Sequence, residues 1–139
     1  MDKFIIYFLL VCFISSCDPG YHADIINNTN QEILLEIQFD KSTIQQFRGH
    51  IPCTEYLRSY PDEAGFQNIR FDPLELKSTF ILKSNSSFPV EHGLDHKPRF
   101  WVFKSIKIFY KDTIQLKDRE EIKKAFLNVE GGAWELRIK

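Results

Sequence analysis

The segment Gln31–Phe39, QEILLEIQF, decides the fold class of this protein. Its apolar residues recur at every second position, with Glu36 and Gln38 between them. In an extended chain successive side chains point to opposite faces, so this alternation predicts a β-strand with one buried face and one face in water. The predicted buried row consists of Ile33, Leu35, Ile37 and Phe39.

The same period of two recurs on both sides of this segment, with turn residues between the predicted strands. These strands are Tyr21–Ile26, Phe66–Phe71, Leu74–Lys83, Arg99–Tyr110 and Thr113–Lys117, and a last strand carries Trp134, Leu136 and Ile138. We expect Asn27–Asn30 to form the turn that pairs the first strand with Gln31–Phe39. Short strands joined by turns predict a mainly β fold, a single antiparallel Ig-like β-sandwich over residues 21–139.

One segment departs from this pattern and predicts a helix over residues 118–130. Asp118 suits the N-cap position, and Glu121 follows three residues later as in a capping box. An apolar stripe at helical spacing comes next, and Gly131 with Gly132 is expected to end the helix. The stripe consists of Ile122, Ala125, Phe126 and Val129.

Two segments lack any clear periodicity and are predicted to be long loops. Ile44–Pro61 is interrupted by His50, Pro52 and Cys53, and we expect a loop with some strand there. Ser84–Pro98 is rich in serine, histidine and proline. Long irregular connections often carry function, so both segments are candidates for it.

The N-terminal segment has the order of features that is typical of a secretory signal peptide. Lys3 precedes the apolar run Phe4–Ile14, and the small residues Ser15 and Ser16 stand in front of Cys17. The apolar run is too short to cross a bilayer as a helix, which takes roughly 20 residues. We therefore expect residues 1–16 to be a signal peptide that is cleaved just before Cys17.

The tetrapeptide Ile14-Ser15-Ser16-Cys17 resembles the lipobox of bacterial lipoproteins, and the chain is similar in style to small Bacteroidetes lipoproteins. The resemblance implies that Cys17 is lipidated and becomes the first residue of the mature chain. It also implies a cell-envelope location, anchored in the inner or the outer membrane. An ordinary cleaved signal peptide with a cysteine beside the cut is the alternative that the same residues allow.

Residues 17–20 form a short tether between the lipidated cysteine and the domain. Fully extended, the chain from Cys17 to Tyr21 reaches at most about 14 Å. Lys and Arg number 18 against 19 Asp and Glu, and the sequence contains no long run of like charge. This balance favours neither a nucleic-acid partner nor attraction to an anionic bilayer, so membrane attachment is predicted to come from the N-terminal acyl chains.

After cleavage, Cys53 is the only cysteine that remains besides Cys17. With Cys17 acylated, Cys53 has no disulfide partner in the chain, and it is expected to be a small buried apolar residue rather than a reactive thiol. Without acylation, a disulfide between the two cysteines becomes the obvious alternative.

The candidate catalytic and metal-binding residues do not form a recognisable motif. His92 and His96 stand four residues apart, but Gly93 and nearby prolines oppose a helix that would bring them to one face. His50 and Cys53 lack a third group to orient a nucleophile and its base. We therefore predict no catalytic residue, no metal and no cofactor.

Two further features are candidate surface sites. Trp101, Phe103 and Phe109 lie on the row opposite the main apolar row of their predicted strand, so they either underlie the helix over residues 118–130 or form an interaction surface. Asp112-Thr113-Ile114 resembles the acceptor motif for O-glycosylation of exported Bacteroidetes proteins, which implies Thr113 as a glycosylation site.

Together these patterns predict a lipid-anchored cell-envelope protein that acts as a non-enzymatic binding or interaction module. Its expected partners are the membrane and a protein or glycan of the envelope. A small hydrolase or metal-dependent enzyme is the first alternative, and it requires three of the side chains of His50, Cys53, His92 and His96 to converge with an acid in one cleft. A membrane-anchored immunity-type protein, which neutralises a toxin, is the second.

Overall fold

A computed structural model describes residues 20–49, 52–57 and 68–139. In chain order the strands and helices are β1 (Tyr21–Asn27), β2 (Ile33–Phe39), α1 (Lys41–Arg48), β3 (Asn68–Asp72), β4 (Lys77–Leu82), β5 (Ser86–Gly93), β6 (Phe103–Phe109), β7 (Thr113–Leu116), α2 (Arg119–Ala125), β8 (Leu127–Glu130) and β9 (Ala133–Ile138). Residues 53–57 add a short helical segment. Among the described residues, no helix has the length and apolar character that crossing a bilayer requires.

The strands form two sheets, which confirms the prediction of a mainly β sandwich. The small sheet has the strand order β5-β1-β9-β8, and the large sheet has the order β3-β4-β2-β6-β7. All pairings are antiparallel except that of β1 with β9, which is parallel. The parallel pair brings the first and last strands of the domain together in the middle of the small sheet.

The core lies between the two sheets and is built from the predicted apolar rows. In β2 every second residue is fully buried, whereas Leu34 on the outer face is 41% exposed. Phe80 of the large sheet meets Phe88 of the small sheet with 4.8 Å between ring centroids. Burying one such side chain contributes roughly 1.5–3 kcal/mol to the stability of the fold. The face of a strand that carries the apolar residues is therefore the one that turns inward.

The predicted pairing of the first two strands is wrong, because β1 and β2 belong to different sheets. Both strands bury alternate residues, and both bury them against the same core. Residues 28–32 therefore cross from one sheet to the other instead of closing a hairpin. A period of two shows that one face is buried, but it does not show which strand lies alongside.

The side chain of Asn27 joins the two sheets at this crossing. Its Nδ2 donates to the carbonyl oxygens of Gln31, Leu82 and Lys83 at 2.8, 3.1 and 2.9 Å. Its Oδ1 accepts from the Thr29 amide at 3.0 Å and from the Thr29 hydroxyl at 2.7 Å. Asn27 is completely buried, so these bonds replace the water that its amide loses on folding.

The predicted loop over Ile44–Pro61 is largely helical where the structure describes it. The Oδ1 of Asp40 accepts from the Thr43 amide at 3.2 Å and caps α1, and Ile44 of α1 is fully buried. Leu57 at the end of the helical segment 53–57 is also fully buried. Only a few side chains of these two elements face the core, so no long apolar stripe marked them in the sequence.

The predicted loop over Ser84–Pro98 contains strand β5, and its irregular part begins only after Gly93. Phe88 and Val90 point into the core from this strand. Pro89 sits between them, opposite Asp24 of β1. A proline is tolerated there because β5 is an edge strand, whose outer side needs no backbone donor.

The predicted helix over residues 118–130 begins where expected and ends early. Asp118 Oδ1 accepts from the Glu121 amide at 2.9 Å, and Glu121 Oε2 accepts from the Lys117 amide at 2.7 Å. The chain then turns into β8, which pairs with β9. Gly131 and Gly132 have φ of 53° and 86° and form the β8–β9 hairpin turn, not the end of the helix.

The sandwich has two different ends, which are named here by the first and last residues of β1. The Tyr21 end carries α1, the irregular segment 94–102, the β3–β4 turn and the β8–β9 turn. The Asn27 end carries the crossing between the sheets, the β4–β5 turn and the β6–β7 turn. The strands separate these ends by about 20 Å.

Replacing Asn27 with alanine should lower the free energy of unfolding by about 2–4 kcal/mol, because buried carbonyl groups would lose their donor. Urea unfolding followed by tryptophan fluorescence measures the change. Asn28→Ala is the matched control, since Asn28 is exposed and only its backbone amide bonds, to Ile138 at 2.9 Å. Equal stability of the two variants would show that Asn27 does not join the sheets.

Candidate functional site

Two cavities at the Tyr21 end lie on either side of Trp101. The first, the Tyr21 cavity, has a volume of about 450 Å³ and is lined by Tyr21, Phe47 and Glu91 among others. The second, the Trp134 cavity, has a volume of about 620 Å³ and is lined by Trp134 and Phe100 among others. Trp101 lines both cavities, and so does Arg99. We call these two residues and the cavities beside them the Trp101 site.

Trp101 is the central surface of this site and is held by three neighbours. The ring of Phe47 on α1 stacks on it with 4.9 Å between centroids and 15° between planes. The guanidinium carbon of Arg99 lies 4.7 Å from the centre of the Trp101 ring, which is cation–π distance. Arg119 of α2 donates to the Trp101 carbonyl at 2.9 Å. The indole nevertheless remains 36% exposed.

The carboxylate of Glu91 on β5 holds the segment that carries Trp101. Its Oε1 accepts from the Tyr21 hydroxyl at 2.5 Å and from the Arg99 amide at 2.9 Å. Its Oε2 accepts from the Phe100 amide at 2.7 Å. Phe100 has φ of 52°, a left-handed conformation that is costly for a bulky residue. Glu91 thus stabilises a strained turn that buries Phe100 and leaves Trp101 at the surface.

The charges around the site are paired among themselves. Burial and the hydrogen bond to Glu91, together with the negative charge of Glu91, raise the pKa of Tyr21 well above its ordinary value of 10.0. Tyr21 is therefore a protonated donor at neutral pH. Arg99 forms an ion pair with Asp95. The His96 amide and this Arg99 contact lower the pKa of the Asp95 carboxyl.

The three aromatic residues that the sequence singled out lie in three different places. Trp101 forms the site, and Phe103 is buried in the core beneath the Tyr21 cavity with 1% exposure. Phe109 lies at the Asn27 end on the outer face of the large sheet and is 40% exposed. The structure therefore brings Trp101 and Phe103 to one cavity and leaves Phe109 apart. Helix α2 packs against β6 and β7.

The cysteine and histidine candidates are not brought together within the described part of the chain. His92 lines the Tyr21 cavity and His96 the Trp134 cavity, whereas Cys53 lines neither. Cys53 is half-buried, and its Sγ lies 4.0 Å from the Lys41 carbonyl. No group of three or more metal-ligating side chains occurs among the described residues. His50 and Cys17 lie outside the described residues.

Thr113, the predicted glycosylation site, is exposed at the first position of β7. It lies at the Asn27 end, directly opposite Phe109 of β6. It is thus separated from the Trp101 site by the length of the sandwich.

Several residues of the site were not predicted from the sequence, namely Tyr21, Phe47, Glu91 and Arg99. Phe47 follows Ile44 at helical spacing after the capping residue Asp40, and this short pattern was the one available signal for α1. Nothing local marks Glu91, because its hydrogen bond to Tyr21 forms only when β5 lies beside β1.

No protein-family model matches this chain, and no curated protein or solved structure shows significant similarity to it. The functional assignment thus depends on the chemistry of the Trp101 site and on the N-terminal motif. Tyr21, Glu91 and Arg99 already have partners within the protein, and the surface beside them includes an aromatic plane with a cation over it. Such a surface is suited to binding.

Replacing Tyr21 with phenylalanine should change how stability depends on pH. Because the pKa of Tyr21 is raised in the folded protein, its side chain makes its full contribution to the free energy of unfolding below pH 10.0, the pKa in the unfolded chain. That contribution is lost as the pH rises above 10.0 towards the folded-state pKa. The stability difference between wild type and Tyr21→Phe should therefore shrink above that pH. Urea unfolding at a series of pH values measures it.

Tyr110→Phe is the control for loss of a tyrosine hydroxyl elsewhere in the domain. A Tyr21→Phe curve that runs parallel to wild type through the alkaline range would contradict the raised pKa of Tyr21.

Proposed function

We propose that this protein is a lipid-anchored component of a bacterial cell envelope. Its anchor is the lipidated Cys17, and its domain is a non-enzymatic binding module. The binding surface is the Trp101 site, and its partner is a component of the envelope. The observation that carries the binding role is the partly exposed Trp101 ring, which Phe47 and Arg99 hold in place between two cavities.

The anchoring role is supported by the order of features at the N-terminus. The apolar run, the small residues and Cys17 stand in register with a lipobox, and β1 begins only four residues after that cysteine, at Tyr21. One acyl chain holds a protein to a bilayer only marginally, whereas two or more anchor it stably. A lipoprotein cysteine carries two or three chains, so this anchor needs no help from surface charge.

The binding role is supported by how the site is built. Glu91 accepts three hydrogen bonds from within the protein, and Arg99 is engaged by Asp95 and by the Trp101 ring. These groups therefore fix the shape of the surface, and the aromatic faces are what a partner would contact. Preorganised aromatic surfaces lose little side-chain entropy on binding and so favour affinity.

A modification at Thr113 is compatible with this role. Its side chain is exposed at the Asn27 end, where a glycan would point away from the tether. The acceptor motif Asp112-Thr113-Ile114 supports Thr113 as an O-glycosylation site of the exported protein.

Replacing Cys17 with serine should release the protein from the membrane, because serine cannot carry the thioether-linked lipid. Fractionation of cells that express each form, with mass measurement of the mature N-terminus, is the test. Wild type should be found in the membrane fraction with acyl mass on Cys17, and Cys17→Ser in the soluble fraction without it.

Cys12→Ser is the matched control, since Cys12 lies in the apolar run and should leave with the signal peptide. Cys12→Ser should be found in the membrane fraction with acyl mass on Cys17, as wild type is. Membrane retention of a Cys17→Ser protein from which residues 1–16 have been cleaved, or an unmodified Cys17 in wild type, would refute the lipid anchor.

Replacing Trp101 with alanine should abolish binding, because the stacked surface is lost while the core is intact. Cross-linking in the native envelope, followed by purification and mass spectrometry, should recover a component with wild type that is reduced at least about tenfold with Trp101→Ala. Phe109→Ala removes an equally exposed aromatic ring at the other end and should have no effect. Equal losses in both variants would refute a binding role of the Trp101 site.

A further inference from the structure

The chain that leads to Cys17 leaves the domain at the centre of the Tyr21 end. Gly20 is packed between two other glycines. A Cβ atom on Gly20 would lie 3.1 Å from the Gly93 carbonyl oxygen, and one on Gly132 would lie 2.5 Å from the Gly20 carbonyl oxygen. Cys17 lies at most about 11 Å of extended chain from Gly20. Acyl chains on Cys17 would therefore hold this end of the sandwich close to the lipid surface.

The same end carries the two most exposed large apolar side chains of the described residues, Leu74 and Leu94. Leu94 is 82% exposed and directly follows Gly93, which pairs with Tyr21 beside the tether. Leu74 in the β3–β4 turn is 94% exposed, and Phe47 is 52% exposed. Leucine side chains on turns have no packing partner in the domain, so water is an unfavourable environment for them.

The Asn27 end differs in this respect. Its large outward apolar side chains on β2, β4, β6 and β7 are only 37–41% exposed and lie within the sheet surface rather than on projecting turns. These residues are Leu34, Ile81, Phe109 and Ile114. Ile69 and Leu127 are 51% and 67% exposed, but they lie on the edge strands β3 and β8, part-way between the two ends. The two projecting leucines thus lie at the end that carries the tether.

The chemistry of the Trp101 site matches the boundary between lipid headgroups and acyl chains. Tryptophan rings are enriched at that depth, since they present an apolar body and a polar N–H. Lys97 lines the Trp134 cavity together with Trp101, and long basic side chains extend from an apolar surface towards headgroup phosphates. Arg99 stays paired with Asp95 beside the ring, and Phe47 stacks on it. Leu94 is a further apolar side chain at the same end.

From this juxtaposition we propose that the Tyr21 end docks on the membrane, with Leu94 and Trp101 at the headgroup–acyl boundary. The partner of the Trp101 site is then the lipid surface itself. This inference rests on the proposed lipid anchor, because the short tether is what brings the site to the bilayer. The extended reach of at most about 11 Å from Gly20 to Cys17 keeps the Tyr21 end, which carries the site, close to the lipid.

The experiment uses the mature acylated protein, reconstituted in phosphatidylcholine–phosphatidylglycerol vesicles with plain or brominated acyl chains. Bromine quenches tryptophan only at contact distance. The Trp134→Phe variant leaves Trp101 as the single reporter, since the chain has 2 tryptophans. Its emission should fall at least about twofold in brominated vesicles, as expected for a ring at the interface.

Three further variants test the orientation. A tryptophan introduced by Phe109→Trp, with Trp101→Phe and Trp134→Phe, should be unquenched because it lies at the far end of the sandwich. Leu94→Glu should restore Trp101 emission, whereas Leu34→Glu at the far end should not. Circular dichroism confirms that each variant is folded.

The outcomes separate this inference from the proposed function. Acylated, vesicle-bound protein whose Trp101 is not quenched overturns the docking and leaves the anchor standing; the site then serves a protein or glycan. Quenching both of Trp101 and of the tryptophan introduced by Phe109→Trp overturns the proposed orientation. Native mature protein that proves to carry no acyl chains on Cys17, and that stays off the vesicles, refutes the anchor and the docking with it.

Discussion

The hydrogen bonds of the Asn27 side chain are the interaction on which the rest of this structure depends. Asn27 ends β1 in the small sheet, and its amide reaches carbonyl groups at the end of β4 and before β2 in the large sheet. The chain must cross between sheets at this point without leaving buried polar groups unpaired. Because one side chain satisfies several such groups at once, the two sheets are set in one relative position.

A second polar side chain has the corresponding role at the opposite end. Glu91 binds the backbone of the segment 94–102 and holds Phe100 in a left-handed conformation with its ring in the core. The neighbouring Trp101 is thereby turned outwards. The exposed ring of the candidate site is thus a consequence of a strained turn whose cost is offset by charged hydrogen bonds and by burial of Phe100.

The two ends of the sandwich carry different features, and this difference matters for the proposed role. The tether, the projecting leucines and the Trp101 site are all found where β1 begins, and Thr113 is found where β1 ends. Such an arrangement allows one end to contact lipid while the other faces the envelope space. Because β1 lies in the middle of the small sheet, between β5 and β9, a force on the tether is resisted by backbone hydrogen bonds on both sides.

The sequence by itself determined the β class, the buried row of β2, the start of α2 and the motif around Cys17, because each depends on residues a few positions apart. Tertiary structure alone decided that β1 lies across the core from β2, that Gly131 and Gly132 close a hairpin, and that Phe47, Glu91 and Arg99 surround Trp101. Side-chain periodicity records whether a face is buried, but not what it is buried against. The contacts of Phe47 with Trp101 and of Tyr21 with Glu91 join residues far apart in the chain, and no local pattern carries that information.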